Sequence, residues 1–242
     1  MKDKLINPIT AIIIGLSLIL STFIAMDGIK SIKTDNTLVV KGSSSFEIKS
    51  DIGIWEGQIY AENKDRRLAF LELENQEKMT IDFLETLGIK KEQIAFSPIG
   101  TTTYNVILEN GTYTNIIDRY KLYKNIKIQS NNVELIDKIY KESTNLISDG
   151  VMIQSYNPTY YYTGLADLKA DAINKATKDA KERAEKMLEA TGNKLGNLKS
   201  AKVGIFQITP QYSTEISDYG INDTSSIYKV INSVVTCTFE IK

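Results

Sequence analysis

The sequence predicts an α+β protein, in which a mainly antiparallel sheet or sheets are packed by about three helices, behind an N-terminal transmembrane helix. Three observations lead to this fold class. An uncharged run of 18 residues occupies positions 9–26. Strand-like and helix-like segments follow it in the order strand–strand–helix–strand–strand–helix–strand–helix–strand–strand. The 242 residues are 42% hydrophobic and 24% charged, which is typical of globular proteins.

The run at positions 9–26 is long enough to cross a lipid bilayer. Eighteen helical residues span about 27 Å, which is close to the hydrocarbon thickness. Lys2 and Lys4 precede the run, and lysines on the short side of a span favour a cytoplasmic N-terminus. We therefore expect a cytoplasmic stub and transmembrane signal anchor in residues 1–29, with the C-terminal domain on the extracytoplasmic side of the cell membrane.

A cleaved secretory signal is the alternative for this segment. The apolar part of a signal peptide usually has about 7–15 residues and ends in an A-x-A-like site. Ala25-Met26-Asp27, near the end of the run, fits such a site poorly. Cleavage would give a secreted or periplasmic form of the protein.

The exported part begins with a tether and two strands. Residues 30–37 are polar and lack periodicity, so we predict a short tether to an exported domain at residues 38–242. Partial alternation predicts strands at residues 38–48 and 52–60. Gly42 lies inside the first of them, where we expect a bend or bulge.

The first helix of the domain is predicted between residues 63 and 88. Asn63 or Asp65 can cap its start, and Gly88 can end it in a left-handed conformation. Helical spacing defines one stripe along this segment. The stripe consists of Leu68, Leu71, Asn75, Met79, Phe83 and Leu87.

A hairpin is predicted after this helix. Residues 99–108 and 116–130 have the composition of strands. Asn110-Gly111 lies between them, and Asn-Gly is the strongest short signal for a hairpin turn.

The second helix is predicted at residues 133–148. Asn131 or Asn132 caps it, and Asp149-Gly150 ends it. A strand follows at residues 151–156, before Asn157-Pro158 interrupts the chain.

The third helix, at residues 165–189, has the most regular spacing. Four alanines of its stripe leave little bulk, so this helix can approach a sheet or another helix closely. A return strand over 194–208, a polar loop over 210–226 and a terminal strand over 227–241 complete the domain. This order is compatible with one domain or with two sub-lobes split near residues 157–164. The stripe consists of Leu165, Leu168, Ala172, Ala176, Ala180, Ala184 and Leu188.

The composition excludes several kinds of chemistry. The chain has no His, which removes the commonest general base and the commonest zinc ligand. Cys237 is the single cysteine, so it cannot form an internal disulfide, and its strand-like surroundings predict a small buried hydrophobe. A net charge of −1 gives no general attraction to nucleic acid.

Sequence motifs for catalysis are also absent. The chain has no Gly-rich nucleotide-binding motif, no G-x-S-x-G and no calcium-loop spacing. We therefore predict no catalytic residues, no metal site, no cofactor and no nucleic-acid partner. A hydrolase that uses carboxylates alone is an alternative that the sequence does not decide, because distant acidic residues can meet in a fold.

Tyrosines supply the candidate interaction surface. Most of them cluster around Pro158, and one lies beside the predicted hairpin. A surface of tyrosines suits contact with a peptide, a glycan or another subunit, because the ring is apolar and the hydroxyl is polar. Packing of half of these rings against the core is the alternative. The candidates are Tyr113, Tyr156, Tyr160, Tyr161 and Tyr162.

Three segments resemble the SIMPL-domain proteins, the DUF541 family. Residues 38–51 are similar to the family's opening strand, with its glycine and small residues. Residues 83–94, Phe-Leu-Glu-Thr-Leu-Gly-Ile-Lys-Lys-Glu-Gln-Ile, are similar to its Leu-Gly-Ile segment. The alanine-rich residues 172–196 are similar to its most recognisable stretch. The resemblance runs from about residue 38 to 242.

The resemblance implies a bacterial envelope protein of α+β fold, either periplasmic or membrane-anchored. Members of the family are linked to oxidative-stress defence or to surface antigens, and some assemble into oligomers. The resemblance supplies no catalytic residue. We expect a non-enzymatic protein that acts as a homo-oligomer or through envelope partners, and a module that binds a small ligand or a glycan through its tyrosines is the alternative.

Overall fold

The computed structural model describes residues 8–33 and 36–242. Its helices are α1 (Pro8–Lys33), α2 (Arg66–Thr86), α3 (Val133–Glu142), α4 (Asn145–Ser148) and α5 (Leu165–Glu189). Its strands are β1 (Thr37–Lys49), β2 (Ile52–Asn63), β3 (Ile94–Phe96), β4 (Gly100–Ile107), β5 (Tyr113–Ser130), β6 (Ile153–Ser155), β7 (Thr159–Tyr161), β8 (Leu195–Val203), β9 (Gln207–Pro210), β10 (Ile221–Asn222) and β11 (Tyr228–Ile241). The fold is α+β with mainly antiparallel sheets, as the sequence predicts.

Helix α1 contains the apolar run. The stretch Thr10–Asp27 has a mean hydropathy of 2.0, is long and apolar enough to cross a membrane, and is not buried. α1 continues to Lys33, so the first part of the predicted tether is helical. Residues 34–35 of the tether and residues 1–7 of the predicted stub lie outside the described residues.

The chain divides into two compact units, each built from separate stretches of sequence. The first unit comprises the described residues up to 44 together with 173–204 and 234–242, and the second comprises 45–172 and 205–233. The elements β1, α5 and β11 each supply residues to both units. The alternative of two sub-lobes split near residues 157–164 is therefore wrong, because long elements continue from one unit into the other.

The second unit contains a six-stranded sheet with the order β3-β5-β2-β6, in which β4 pairs with β5 and β7 pairs with β2. Helices α2 and α3 pack against this sheet. The core between them includes Trp55, Ile59, Ile126 and Ile128, none of them more than 1% exposed. The indole N–H of Trp55 donates to Ser155 Oγ at 2.9 Å, so burial of the ring leaves no unpaired donor.

The ends of α2 are as predicted, but the predicted stripe matches the buried face only in its C-terminal half, where Met79, Phe83 and Leu87 pack against the core. The Asp65 side chain accepts hydrogen bonds from the backbone N–H groups of Arg67 and Leu68, and Gly88 has a φ of +91°. Leu68 and Leu71, which belong to the predicted stripe, are 47% and 54% exposed. The buried side chains are Ala69, Leu73, Gln76, Thr80 and Leu84.

Two polar side chains explain why hydropathy misplaces this face. The hydroxyl of Thr80 donates to the carbonyl oxygen of Gln76, and the side-chain oxygen of Gln76 accepts from the N–H of Met152 at 3.0 Å. Buried polar groups are tolerated when they are hydrogen-bonded in this way. The inward face of α2 therefore carries polar residues, while two leucines point outward.

The first unit contains the alanine stripe of α5. Ala176, Ala180 and Ala184 are fully buried, as predicted, and they pack in one cluster with residues of β1 and β11. Cys237 belongs to this cluster with no exposed surface, which confirms the prediction of a small buried hydrophobe. β1 runs through Gly42 without interruption.

Several short elements differ from the sequence prediction. The stretch between the first predicted helix and the predicted hairpin contains β3, the segment after Pro158 contains β7, and the polar loop contains β10. The second predicted helix is two helices, α3 and α4, and the return strand is divided into β8 and β9. Strands of two or three residues are too short to show a hydrophobic period.

Candidate functional site

A two-stranded ribbon extends from the sheet of the second unit. β2 pairs with β5 only as far as Asn63, whose partner is Tyr120. Beyond that point, among the strands of the described residues, β5 pairs with β4 alone, from the Arg119–Tyr104 pair to the Tyr113–Ile107 pair. We call residues 104–119 the ribbon. Its pairing contains register shifts on both sides of Asn105, and irregularities of this kind increase the local twist of a strand pair.

The ribbon exposes an unusual amount of apolar surface. An isolated two-stranded hairpin is marginally stable in water, and strands that carry apolar side chains normally bury one face. Here both strands are exposed along most of their length. Groups of exposed apolar side chains are typical of interaction surfaces. The exposed apolar side chains are Tyr104, Ile107, Leu108, Tyr113, Ile116 and Ile117, with exposures between 36% and 76%.

The tip of the ribbon is the predicted Asn-Gly turn. Gly111 has a φ of +81°, a conformation that glycine adopts without steric cost. The side-chain oxygen of Asn110 accepts from the N–H of Thr112 at 3.1 Å. The N–H of Leu108 donates to the carbonyl oxygen of Thr112 and closes the turn.

The base of the ribbon is held by Arg119. Its guanidinium lies over the Tyr104 ring, 4.5 Å from the centroid. It also donates to carboxylate oxygens of Glu62, at 2.8 Å, and of Asp118, at 2.9 Å. Contact with Glu62 ties the ribbon to the end of β2, so the ribbon leaves the sheet in a defined direction.

The structure does not bring the five predicted tyrosines into one surface. Tyr113 is on the ribbon and is 76% exposed. Tyr156 lines a separate open groove with Phe96 and Lys127. Tyr160, Tyr161 and Tyr162 line a small cavity of about 60 Å³, and the Tyr160 side chain is in the core and only 3% exposed.

A buried lysine adjoins this small cavity, and the sequence gives no signal for it. Lys229 is 3% exposed. Its Nζ donates to the carbonyl oxygens of Tyr160 and Asp223, each at 2.6 Å. An ammonium group has three donors and no acceptor, so the two carbonyl oxygens compensate part of the cost of burying it. Lys229 therefore connects the segment after Pro158 to the segment that follows β10.

Burial also shifts the titration of these groups. Desolvation lowers the pKa of Lys229, although the charge of Asp223 opposes the shift. Burial alone would raise the pKa of Asp223, but hydrogen bonds from Ser225 and Ser226, together with the charge of Lys229, outweigh it, and the pKa is lowered. Burial raises the pKa of Tyr160 to about 12.

A second exposed aromatic group occurs in the loop before β10. Tyr212, Ile216 and Tyr219 are 90%, 84% and 97% exposed. Tyr212 has a φ of +69°, which is uncommon for a residue other than glycine. The sequence identifies this segment only as a polar loop, because its three large side chains are separated by Ser, Thr, Glu and Asp.

These features define the class of the protein: an α+β domain with an exposed β-ribbon, preceded by one helix apolar enough to cross a membrane. The family follows from comparison with known proteins. The model of the SIMPL family, described as a protein of unknown function (DUF541), matches residues 38–234, and the chain belongs to this family. A search of curated proteins found no match.

Proposed function

We propose that this chain is a membrane-anchored, extracytoplasmic protein without enzymatic activity, which acts through self-association or through contact with envelope partners. The exposed ribbon is the observation that carries the proposal. Its apolar side chains would be buried by a partner, and burying apolar surface contributes about 25 cal/mol per Å². A part in stress defence, implied for some relatives, would depend on this association.

The apolar helix supports the membrane part of the proposal. Lys2 and Lys4 precede Thr10–Asp27, and this placement favours a cytoplasmic N-terminus. The SIMPL domain would then lie outside the cytoplasm. Copies held in the same membrane encounter one another at raised effective concentration, which favours association through a modest surface such as the ribbon.

A small-ligand or glycan site at the tyrosines receives less support. The cavity beside Tyr161 and Tyr162 is about 60 Å³, which is room for about two water molecules at their share of liquid volume. Known ligand pockets have roughly 300–1,000 Å³, several times the volume of this cavity. The groove beside Tyr156, at about 520 Å³, falls within that range, although it is open to solvent. This alternative therefore stays a prediction for the exposed faces of Tyr156 and Tyr161.

Co-purification from bacterial membranes tests the proposal. The full chain would be co-expressed with two different C-terminal tags, extracted in mild detergent and purified through one tag. We expect the second tag to be retained with the wild-type ribbon. Retention should be lost in the double variant Ile107→Thr and Ile116→Thr, which removes apolar surface from the ribbon while keeping β-branched residues.

A matched control variant changes exposed apolar residues outside the ribbon. Leu68→Thr and Leu71→Thr alter two exposed positions of α2, and this variant should retain the second tag. Failure of the wild-type chain to retain either the second tag or any other envelope protein would contradict the proposal. Protease treatment of intact and lysed spheroplasts would test sidedness, since we expect cleavage of the domain in both.

A further inference from the structure

β4 is an edge strand whose outer side is open. Within residues 8–33 and 36–242, β4 pairs with β5 and with no other strand. In an antiparallel pair, alternate residues direct their N–H and C=O groups away from the partner strand. Residues 101–105 are all exposed, so these outward groups form a template to which another strand can bind.

The composition of β4 offers no protection against such pairing. Its eight residues, Gly-Thr-Thr-Thr-Tyr-Asn-Val-Ile, include no charge and no proline. Natural edge strands are usually protected by lysine, proline, bulges or short length. The register shifts of β4 begin between Tyr104 and Asn105, so residues 100–104 pair regularly and have no bulge, lysine or proline. The comparison within this chain is β8, which pairs only with β11 in the described residues and carries Lys199 and Lys202. One edge is therefore charged, while the other is long and neutral.

A second copy of this chain is the partner that fits the β4 edge. Two antiparallel β4 strands place no like charges opposite each other, and the run Thr101-Thr102-Thr103 supplies Thr–Thr pairs, which are favourable across strands. A two-fold axis would make the contact self-complementary, as in most homodimers. Ile107, at the end of the same strand, would extend the contact with apolar surface.

We propose that two copies associate by antiparallel pairing of their β4 strands, forming one continuous sheet across both molecules. This inference rests on the proposed function, because it names the surface through which self-association occurs. The main-chain hydrogen bonds of β4 supply affinity, and the exposed side chains of the ribbon supply specificity, as in other cases of strand addition.

Disulfide cross-linking along β4 tests this pairing. Single cysteines would replace residues 101, 102, 103, 104 and 105 in turn in the full chain, and membranes would be treated with an oxidant. Cys237 is fully buried, and burial raises the pKa of its thiol, so the wild-type chain should not cross-link. Ser200→Cys on β8 is the matched control on the other edge.

Cross-linking is expected at only one or two of the tested positions of β4. Identical positions face each other only at the two-fold axis, and moving the cysteine by one residue separates the two thiols by two residues, about 6.8 Å along the strands. That separation exceeds the reach of a disulfide. Cross-linking should therefore be strong at one or two neighbouring positions of β4 and weak at the others and at Ser200→Cys.

A charge variant supplies the second measurement. Thr103→Lys places lysines near each other in the paired strands, and we expect about a tenfold or greater rise in the dissociation constant of the detergent-solubilised dimer. Ser200→Lys should leave it unchanged. Absence of cross-linking along β4 in a chain that still self-associates would overturn the β4 pairing alone. A chain that is monomeric at all concentrations would overturn the pairing together with self-association.

Discussion

A Cβ atom on Gly42 would lie 2.1 Å from the carbonyl oxygen of Ala176 and 2.7 Å from the Cβ of Ala180. Strand β1 and helix α5 therefore approach so closely that only glycine fits opposite the alanine stripe. The N–H of neighbouring Ser43 donates to the Asp179 carboxylate at 2.8 Å, which lowers the pKa of Asp179, assisted by Arg183. Gly42 and the alanines of α5 are far apart in sequence but pack directly against each other.

Gly42→Ala should destabilise the protein strongly. The obstructing atoms belong to the backbone of α5, so they cannot move aside as a flexible side chain would. We expect the free energy of unfolding to fall by about 3 kcal/mol, the upper part of the range for overpacking. Urea unfolding of the full chain in detergent, followed by circular dichroism, measures this change. The control is Ser45→Ala, at an exposed position of the same strand. It should change the free energy of unfolding by less than about 0.5 kcal/mol.

Tyr160→Phe should be neutral or stabilising. The hydroxyl of Tyr160 is buried without a hydrogen-bond partner among the described residues, and removing such a group can raise stability by about 1 kcal/mol. Trp55 is the single tryptophan and is fully buried, so its fluorescence reports the unfolding. A loss of more than about 1 kcal/mol would show that the hydroxyl has a partner in solution.

The raised pKa of Tyr160 predicts how the stability of the protein changes at alkaline pH. The pKa of Tyr160 is about 12 in the folded protein, against an ordinary value of 10.0. The phenol of Tyr160 loses its proton at a lower pH in the unfolded chain than in the folded protein. The contribution of Tyr160 to the free energy of unfolding is therefore complete below pH 10 and is lost as pH rises toward 12. Tyr160→Phe should lack this loss when unfolding is compared with wild type across that window.

Lys229→Met should destabilise the protein by about 2 kcal/mol, because two buried carbonyl oxygens lose their donors. Lys127→Met is the control, since Lys127 is exposed on β5 and its contact with Glu56 is also exposed. The expected change there is under about 0.5 kcal/mol. An equal effect at both positions, measured by urea unfolding, would contradict the role given to Lys229.

The charge of Lys229 makes a further contribution that depends on pH. Its pKa is lower in the folded protein than the ordinary value of 10.5. The unfolded chain therefore binds more protons between these two values, and stability rises with pH across that window. The neutral amine keeps two N–H donors for the two carbonyl oxygens. The rise should be present in wild type and absent from Lys229→Met.

Leu73→Ala and Leu71→Ala distinguish the two faces of α2. Leu73 is 1% exposed, and Leu71 is 54% exposed. The first change should cost about 2–5 kcal/mol through the cavity that it leaves, and the second less than about 0.5 kcal/mol. The reverse order, measured through Trp55 fluorescence, would support the stripe that the sequence pattern predicts.

Local signals account for the parts of the fold that the sequence predicts well. The stripe from Leu165 to Leu188 predicts the extent of α5, and the four-residue spacing of its alanines predicts its buried face. The caps Asp65 and Asn132 and the turn at Asn110-Gly111 depend on interactions within a few residues. Such interactions can be read from a single segment of sequence.

The remaining features depend on contacts between distant segments. The ribbon exists because β5 continues past the end of β2 at Asn63. The pairing register of β2 and β5 cannot be predicted from the sequence of either strand alone. A lysine on β11 would be expected to face solvent, and the burial of Lys229 becomes apparent only from its contact with Tyr160 in the fold. The buried face of α2 is hidden because Gln76 and Thr80 find hydrogen-bond partners only in the fold.

The mass of the detergent-solubilised full chain, measured by multi-angle light scattering with the detergent contribution subtracted, tests self-association through the β4 edge most directly. The chain has a mass of 27.1 kDa. We expect the wild-type protein to have at least twice this mass and to approach 27.1 kDa when Thr103→Lys is introduced. A wild-type mass of 27.1 kDa at every concentration would contradict self-association.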